Sequence, residues 1–195
     1  MTVEDGIGWL TLRRPETRNA VDAAFVGDAI AALDDRPEGI GALVVSAEGP
    51  AFCVGADLNL FHRAASTGRA DEELTPVLVA MHTITRKLRA LPVPTVAAIE
   101  GAAAGAGVGL ACACDLRVVG RSTVFVPAFC AVGLSPDSGT SFHLTRALGG
   151  AAKNRMGRRA FPRRADHHLH GARQAQAYAS GRCPGRRPGK PSRSI

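Results

Sequence analysis

The sequence predicts an α/β layered fold with a mainly parallel sheet, on three observations. Short strand-like runs alternate with segments whose apolar residues recur at helical spacing. One run, GALVVS at 41–46, is continuously apolar, as in a strand covered on both faces. A further run ending at Ile99 leads through a glycine-rich turn into a helix-like stretch of small residues, EGAAAGAGVGLACACD at 100–115. With 195 residues, 46% of them apolar, the chain suits one domain with a sizeable core.

Taken in order, Gly8 to Leu12 alternates and is closed by RRPETRN, predicting a strand and a turn. Val21, Phe25, Val26, Ala29, Ile30 and Leu33 share one face of a helix, with Asn19 as a candidate N-cap. After the 41–46 strand, EGPAFCVGADL holds a glycine turn and a second strand-like piece, Ala51 to Val54. Asp57 to Gly68 reads as a short helix and loop. Glu72 to Leu91 reads as a longer helix ended by Pro92 and Pro94. Strand Thr95–Ile99, the glycine turn, a helix from about Gly107 and strand Leu116–Val119 follow. Thr123 to Phe125 is strand-like, and GLSPDSGT opens a helix over Ser138 to Ala147.

The net charge of +7 is unevenly distributed. Residues 1–150 carry 12 Lys and Arg against 16 Asp and Glu, whereas 151–195 carry 12 against one, Asp166. The organisation expected is a mildly acidic core over 1–150 and a basic, low-complexity tail over 151–195. The tail is too poor in large apolar side chains to offset chain entropy and is expected to be irregular or disordered. Five cysteines (53, 112, 114, 130 and 183) without CxxC spacing indicate neither a disulfide framework nor a zinc site. They fit a reduced, cytoplasmic compartment. No apolar run approaches the roughly 20 residues of a membrane span. The tail lacks interleaved aromatics, which argues against nucleic acid, and its histidines 167, 168 and 170 lack partners for a metal.

A strand, a glycine turn and a helix start leave backbone N–H groups unpaired. Such a turn suits a phosphate or the oxygen of a polarised carbonyl. Here the residues carry a wider pattern. From about Val3 to Gly150 the chain resembles the crotonase family, the enoyl-CoA hydratases and isomerases. The resemblance rests on LTLRRPETRNAV, GALVVSAEGPAFCVGADL, PVPTVAAIEGAAAGAGVGLACACDLRVV and FVPAFCAVGLSPDSGTSFHLTRALG, in family order and spacing. It implies a spiral of ββα units and an acyl-CoA thioester as substrate, with no cofactor. It also implies an oxyanion hole made by the N–H groups of Ala56 and Ala106, beside Gly55 and Gly105. Arg18, Asp57, Leu58 and Phe129 are the further substrate or CoA contacts it implies, although the family commonly has lysine where this chain has Thr17.

The two glutamates that place water in hydratases would fall at Gly109 and Phe129, and neither residue can move a proton. Asp137 sits where several isomerases, and the aryl-CoA dehalogenase branch, carry a catalytic aspartate. It is the candidate acid/base, against the plainer role of capping the helix at Ser138. His82 matches a base of the dehalogenase-like branch, against the plainer role of a helix-face histidine. Phe129, where that branch has tryptophan, argues against dehalogenation. The family's C-terminal subdomain, which closes the acyl pocket and builds trimers and hexamers, is not recognisable in 151–195. A reading-frame change near Ala151 would produce such a composition. Three readings follow: an isomerase using Asp137, a truncated core of little activity, and a hydratase using unrecognised groups.

Overall fold

The computed structural model describes residues 1–129 and 134–148. The expected layered α/β arrangement with mainly parallel sheets is present. Strand β1 (Thr2–Glu4) folds back on β2 (Ile7–Leu12) as an antiparallel hairpin. Its two-residue turn, Asp5-Gly6, has φ of 48° and 76°, the left-handed pair that matches hairpin twist. This hairpin was not anticipated, although Asp-Gly between short strand-like runs is a direct signal for it. β2 runs parallel to β3 (Ala42–Ala47), β3 to β5 (Thr95–Ile99), and β5 to β7 (Leu116–Val119). These strands make one five-stranded sheet in the order β1-β2-β3-β5-β7. A second, three-stranded parallel sheet joins β4 (Ala51–Cys53), β6 (Ala102–Ala104) and β8 (Val124–Val126).

Helices α1 (Ala23–Asp34) and α3 (Ala70–Ala90) cover the larger sheet. Phe25 and Leu33 from α1, and Met81 and Leu88 from α3, join Leu43 and Val45 of β3 in one core. β3 is buried at Leu43 and Val45 but only half-buried at Val44, so it is less enclosed than its apolar run suggested. α3 carries Asp71, Glu72 and Glu73 in its first turn and Lys87 and Arg89 in its last, complementing the helix dipole. It ends at Leu91, extended before Pro92 as steric conflict with proline demands. α2 (Leu58–Thr67) fills the predicted 57–68 segment. Among the described residues, no helix is long and apolar enough to cross a membrane.

Three expectations are corrected. α1 starts at Ala23 and its N-cap is Asp22, whose carboxylate accepts from Phe25 N–H at 2.9 Å. Asn19 is a fully buried turn residue, accepting from Arg14 N–H at 2.8 Å and donating to Ala51 O at 2.9 Å. The 100–105 segment, read as turn alone, contains β6, because Ala102 to Ala104 supply backbone bonds to the second sheet. The helix read from Ser138 spans 140–148, after a turn in which Ser138 has φ of 51°. The tail from 151, its histidines, the domain boundary at 150 and the frame change all lie outside the described residues.

Candidate active site

α4 (Ala106–Ala113) is the element around which the site is built, and every residue in it is buried. Small side chains are required there, since a Cβ on Gly107 would lie 2.2 Å from Cys53 O of β4. Ala106 is the first helical residue, so its N–H has no intrahelical acceptor. Ala56 lies in an isolated parallel bridge to Val21. Its bonds are Val21 N–H to Gly55 O at 2.8 Å and Asp57 N–H to Val21 O at 2.9 Å, which leave the Ala56 N–H outside the bridge. The two turns touch. A Cβ on Gly55, at φ of 88°, would stand 2.8 Å from Ala104 O and 3.3 Å from Ala106 N, so only glycine permits the approach.

Ala56 and Ala106 both border two connected hollows. The inner one, of about 280 Å³, is apolar and runs between α2 and α3 past Leu60, Leu74 and Met81. The outer cleft, of about 500 Å³, opens beside Arg18, Asp57, Leu58, Gly105 and Phe129. Asp137 borders both. The structure thus brings together almost all of the predicted residues. Gly55 lies buried behind the alanine turn, and Arg18 is exposed on the rim of the outer cleft. Asp57 caps α2 by accepting from Asn59 N–H at 2.8 Å. Phe129 is buried, its carbonyl accepting from Leu134 N–H at 2.8 Å.

Asp137 is not an ordinary helix cap. Its backbone carbonyl accepts from Thr140 N–H at 2.7 Å, while its carboxylate accepts from Ser138 Oγ at 2.8 Å. Burial pushes the carboxyl above the usual carboxylate range, with the Ser138 hydroxyl pulling the other way. His82 is exposed and borders a separate cleft with Gly139 and His143. Its Nε2 accepts from Ser138 N–H at 3.1 Å, which ties up the lone pair a base would use. His143 sits below its normal range through burial, with Arg89 and Arg146 adding to the effect. Among the described residues, no group of three His, Cys, Asp or Glu could hold a metal ion.

Sequence reasoning missed Val21 and Ser138. Val21 was assigned to a helix face, yet it lines the inner hollow and supports Ala56. Ser138 looked like a helix start, and only its partners show otherwise.

The chain is similar to known proteins in both sequence and fold. The chain matches the family model described as enoyl-CoA hydratase/isomerase over residues 2–167. It is 36% identical over 151 residues to a trans-2-decenoyl-[acyl-carrier-protein] isomerase of Streptococcus mutans, covering 75% of this chain and 56% of that protein. An enoyl-CoA hydratase structure from Polaromonas sp. JS666 superposes with a TM-score of 0.71 at 36% identity, over 89% of this chain and 67% of that one. A Thermobifida fusca protein solved in complex with acetoacetyl-CoA gives a TM-score of 0.72 at 26% identity, over 89% of this chain and 69% of that one. The chain spans 55–57% of the length of the first curated relatives it matches.

Proposed function

Because the chain belongs to the enoyl-CoA hydratase/isomerase family, we propose that its core, residues 1–150, moves the double bond of an enoyl thioester. The observation that carries this reading is the position of Asp137, a carboxyl raised by burial, on the same apolar hollow as Ala56 and Ala106. The Asp137 carboxylate takes a proton from the α or γ carbon. The C–H electron pair spreads into a dienolate whose charge rests on the thioester oxygen. The N–H groups of Ala56 and Ala106 hold that oxygen, and the N-terminal end of α4 adds its dipole. Protonated Asp137 then returns the proton to the other carbon. Atoms and electrons balance within the substrate, so the step needs no cofactor. The apolar hollow suits the acyl chain, and the outer cleft at Arg18 suits the polar part of the CoA or carrier. Hydration is disfavoured because Gly109 and Phe129 cannot activate water. His82 acts on the Asp137 turn rather than on substrate.

The test is Asp137→Asn, assayed against enoyl-CoA esters with isomerisation and hydration followed separately. Isomerisation is expected to fall by about 10²–10⁴-fold, the worth of a positioned acid/base, with ester binding nearly intact. Turnover equal to the parent chain removes Asp137 from the mechanism.

One observation favours a second reading, a core of little activity on its own. Leu116, Val118 and Val119 of β7 and Val124 of β8 are more than half exposed, which leaves an apolar band at the sheet edges. In this reading a trimeric or hexameric assembly of the kind the family resemblance implies does the covering. Size-exclusion chromatography with melting, with and without an acyl-CoA, separates the two. A monomer showing no ligand-induced rise in melting temperature supports the second. A cytoplasmic location remains part of the proposal.

A further inference from the structure

The turn that presents Asp137 is held from three sides. Ser138 is 1% exposed and sits at φ of 51°, a left-handed conformation that a residue with a Cβ seldom adopts. From α3, His82 Nε2 accepts the Ser138 N–H at 3.1 Å. From α4, Gly109 leaves room for Ser138 O, which would stand 2.8 Å from a Cβ at that position. Following Ser138, Thr140 N–H closes the turn onto Asp137 O at 2.7 Å. The hydroxyl of Ser138 is thereby delivered to Asp137 Oδ1 at 2.8 Å.

We propose that Ser138 is a positioning residue for Asp137. Its hydroxyl fixes one carboxylate oxygen and stabilises the charged form, leaving the other oxygen for the proton in flight. A strained, buried serine at the neighbouring position has a reason on this account. Glycine would relieve the backbone, but it could not donate to the carboxylate. The inference also explains why Gly109 and Asp137 occur together. The space that a hydratase glutamate would need is taken by the backbone that carries Ser138.

Among the described residues, the charged and titratable groups around Asp137 are few. His82 faces it from α3, and Asp71 borders the inner hollow from the first turn of the same helix. Asp57, Glu16 and Arg18 border the outer cleft. None of them donates to Oδ1, so loss of the Ser138 hydroxyl is not replaced among the described residues.

The inference rests on the reading of Asp137 as proton carrier, and its test is arranged so that the two can fail separately. Ser138→Ala keeps the Cβ and its strain, whereas Ser138→Gly removes both. In the full chain without substrate, the titration of Asp137 is followed by NMR of its carboxyl carbon. Both variants are expected to move it to higher pH, because the donor to the charged form is gone. With an enoyl-CoA substrate, kcat at neutral pH is expected to fall about tenfold in both, with KM little changed. The rising limb of the rate profile shifts to higher pH. Stability runs the other way: Ser138→Gly is expected to melt about 2–4 °C above Ser138→Ala. A purely structural serine predicts activity that follows melting temperature and an unmoved Asp137 titration, and that result overturns the proposal. If the parent chain isomerises nothing, the functional reading fails, while the titration still decides the role of Ser138.

Discussion

Glycine-to-alanine substitutions at three helical positions put the packing of α4 to a quantitative test. At Gly27, in α1, an added Cβ meets nothing within 4 Å. Alanine there is expected to stabilise the chain by about 0.5–1 kcal/mol, the helix-propensity gain alone. Gly109 receives the same gain, but its Cβ would lie 2.6 Å from Thr140 Oγ1 and 2.8 Å from Ser138 O, against the 3.4 Å at which ordinary contact begins. The Thr140 side chain can turn, whereas the Ser138 backbone must retreat. Overpacking of this kind costs about 1–3 kcal/mol, so the net effect is a loss of about 0–2.5 kcal/mol. Gly107 is the severe case, with backbone Cys53 O at 2.2 Å and no flexible neighbour to give way. Its alanine variant is expected to lose more than about 3 kcal/mol or to fail to fold. Thermal melting reads the order Gly27→Ala above parent, parent at or above Gly109→Ala, and Gly107→Ala lowest. Each kcal/mol appears as about 2–4 °C in a chain of this size. Gly109→Glu, the substitution that would restore a hydratase glutamate, is expected to melt lower still and to add no hydration of crotonyl-CoA. A Gly109→Glu chain that melts with the parent and hydrates crotonyl-CoA would refute the packing argument at α4 and the exclusion of hydration together.

Two further outcomes follow from charges and thiols away from the hollow. Asp22 caps α1 and accepts from Arg14, with Arg14 Nη2 donating to Oδ2 at 2.7 Å. Asp22→Ala is expected to cost about 1–2 kcal/mol, or about 2–8 °C of melting temperature, since the pair is only partly buried. The Arg14 bond holds Asp22 below the usual carboxylate range, so its stabilisation is present above that range and lost as pH falls through the lowered value. The melting difference between parent and Asp22→Asn should therefore shrink on acidification, and a difference that stays constant to low pH contradicts the assignment. Cys53, Cys112 and Cys114 are buried thiols, with burial pushing Cys53 up to about 11 and Cys114 up to about 12. Peptide mapping after alkylation at neutral pH should find these three unlabelled in the native chain and labelled in denaturant. Native labelling of any of them would show that α4 or β4 opens.

Much of the fold was legible because its signals are local. The helical spacing in α1, the alternation in β2, Pro92 after Leu91 and the glycine turn before α4 each act through neighbours in sequence. Ala56 and Ala106 were named as candidate oxyanion donors through the family resemblance, while the glycines beside them mark the close approach of the two turns. What escaped depends on partners distant in the chain. Asn19 could cap a helix or staple a turn, and only Glu48 O and Ala51 O, both accepting from its amide, decide for the staple. β6 reads as turn because three alanines carry no strand pattern, and its pairing is set by β4 and β8 on either side.

The sequence by itself determined the layered α/β architecture and the small-residue helix, because these are matters of residue identity and period; the resemblance added the expectation that the two hydratase glutamates fall at Gly109 and Phe129. Only the tertiary structure decided how the remaining polar groups are used. His82, weighed between a base and a plain helix-face histidine, holds the Ser138 N–H, and Asp137, weighed between an acid/base and a helix cap, borders the hollow. His82 and Ser138 lie 56 residues apart, and no local pattern records which atoms meet when α3, α4 and the 135–140 turn converge. The proposed proton chemistry depends on that convergence.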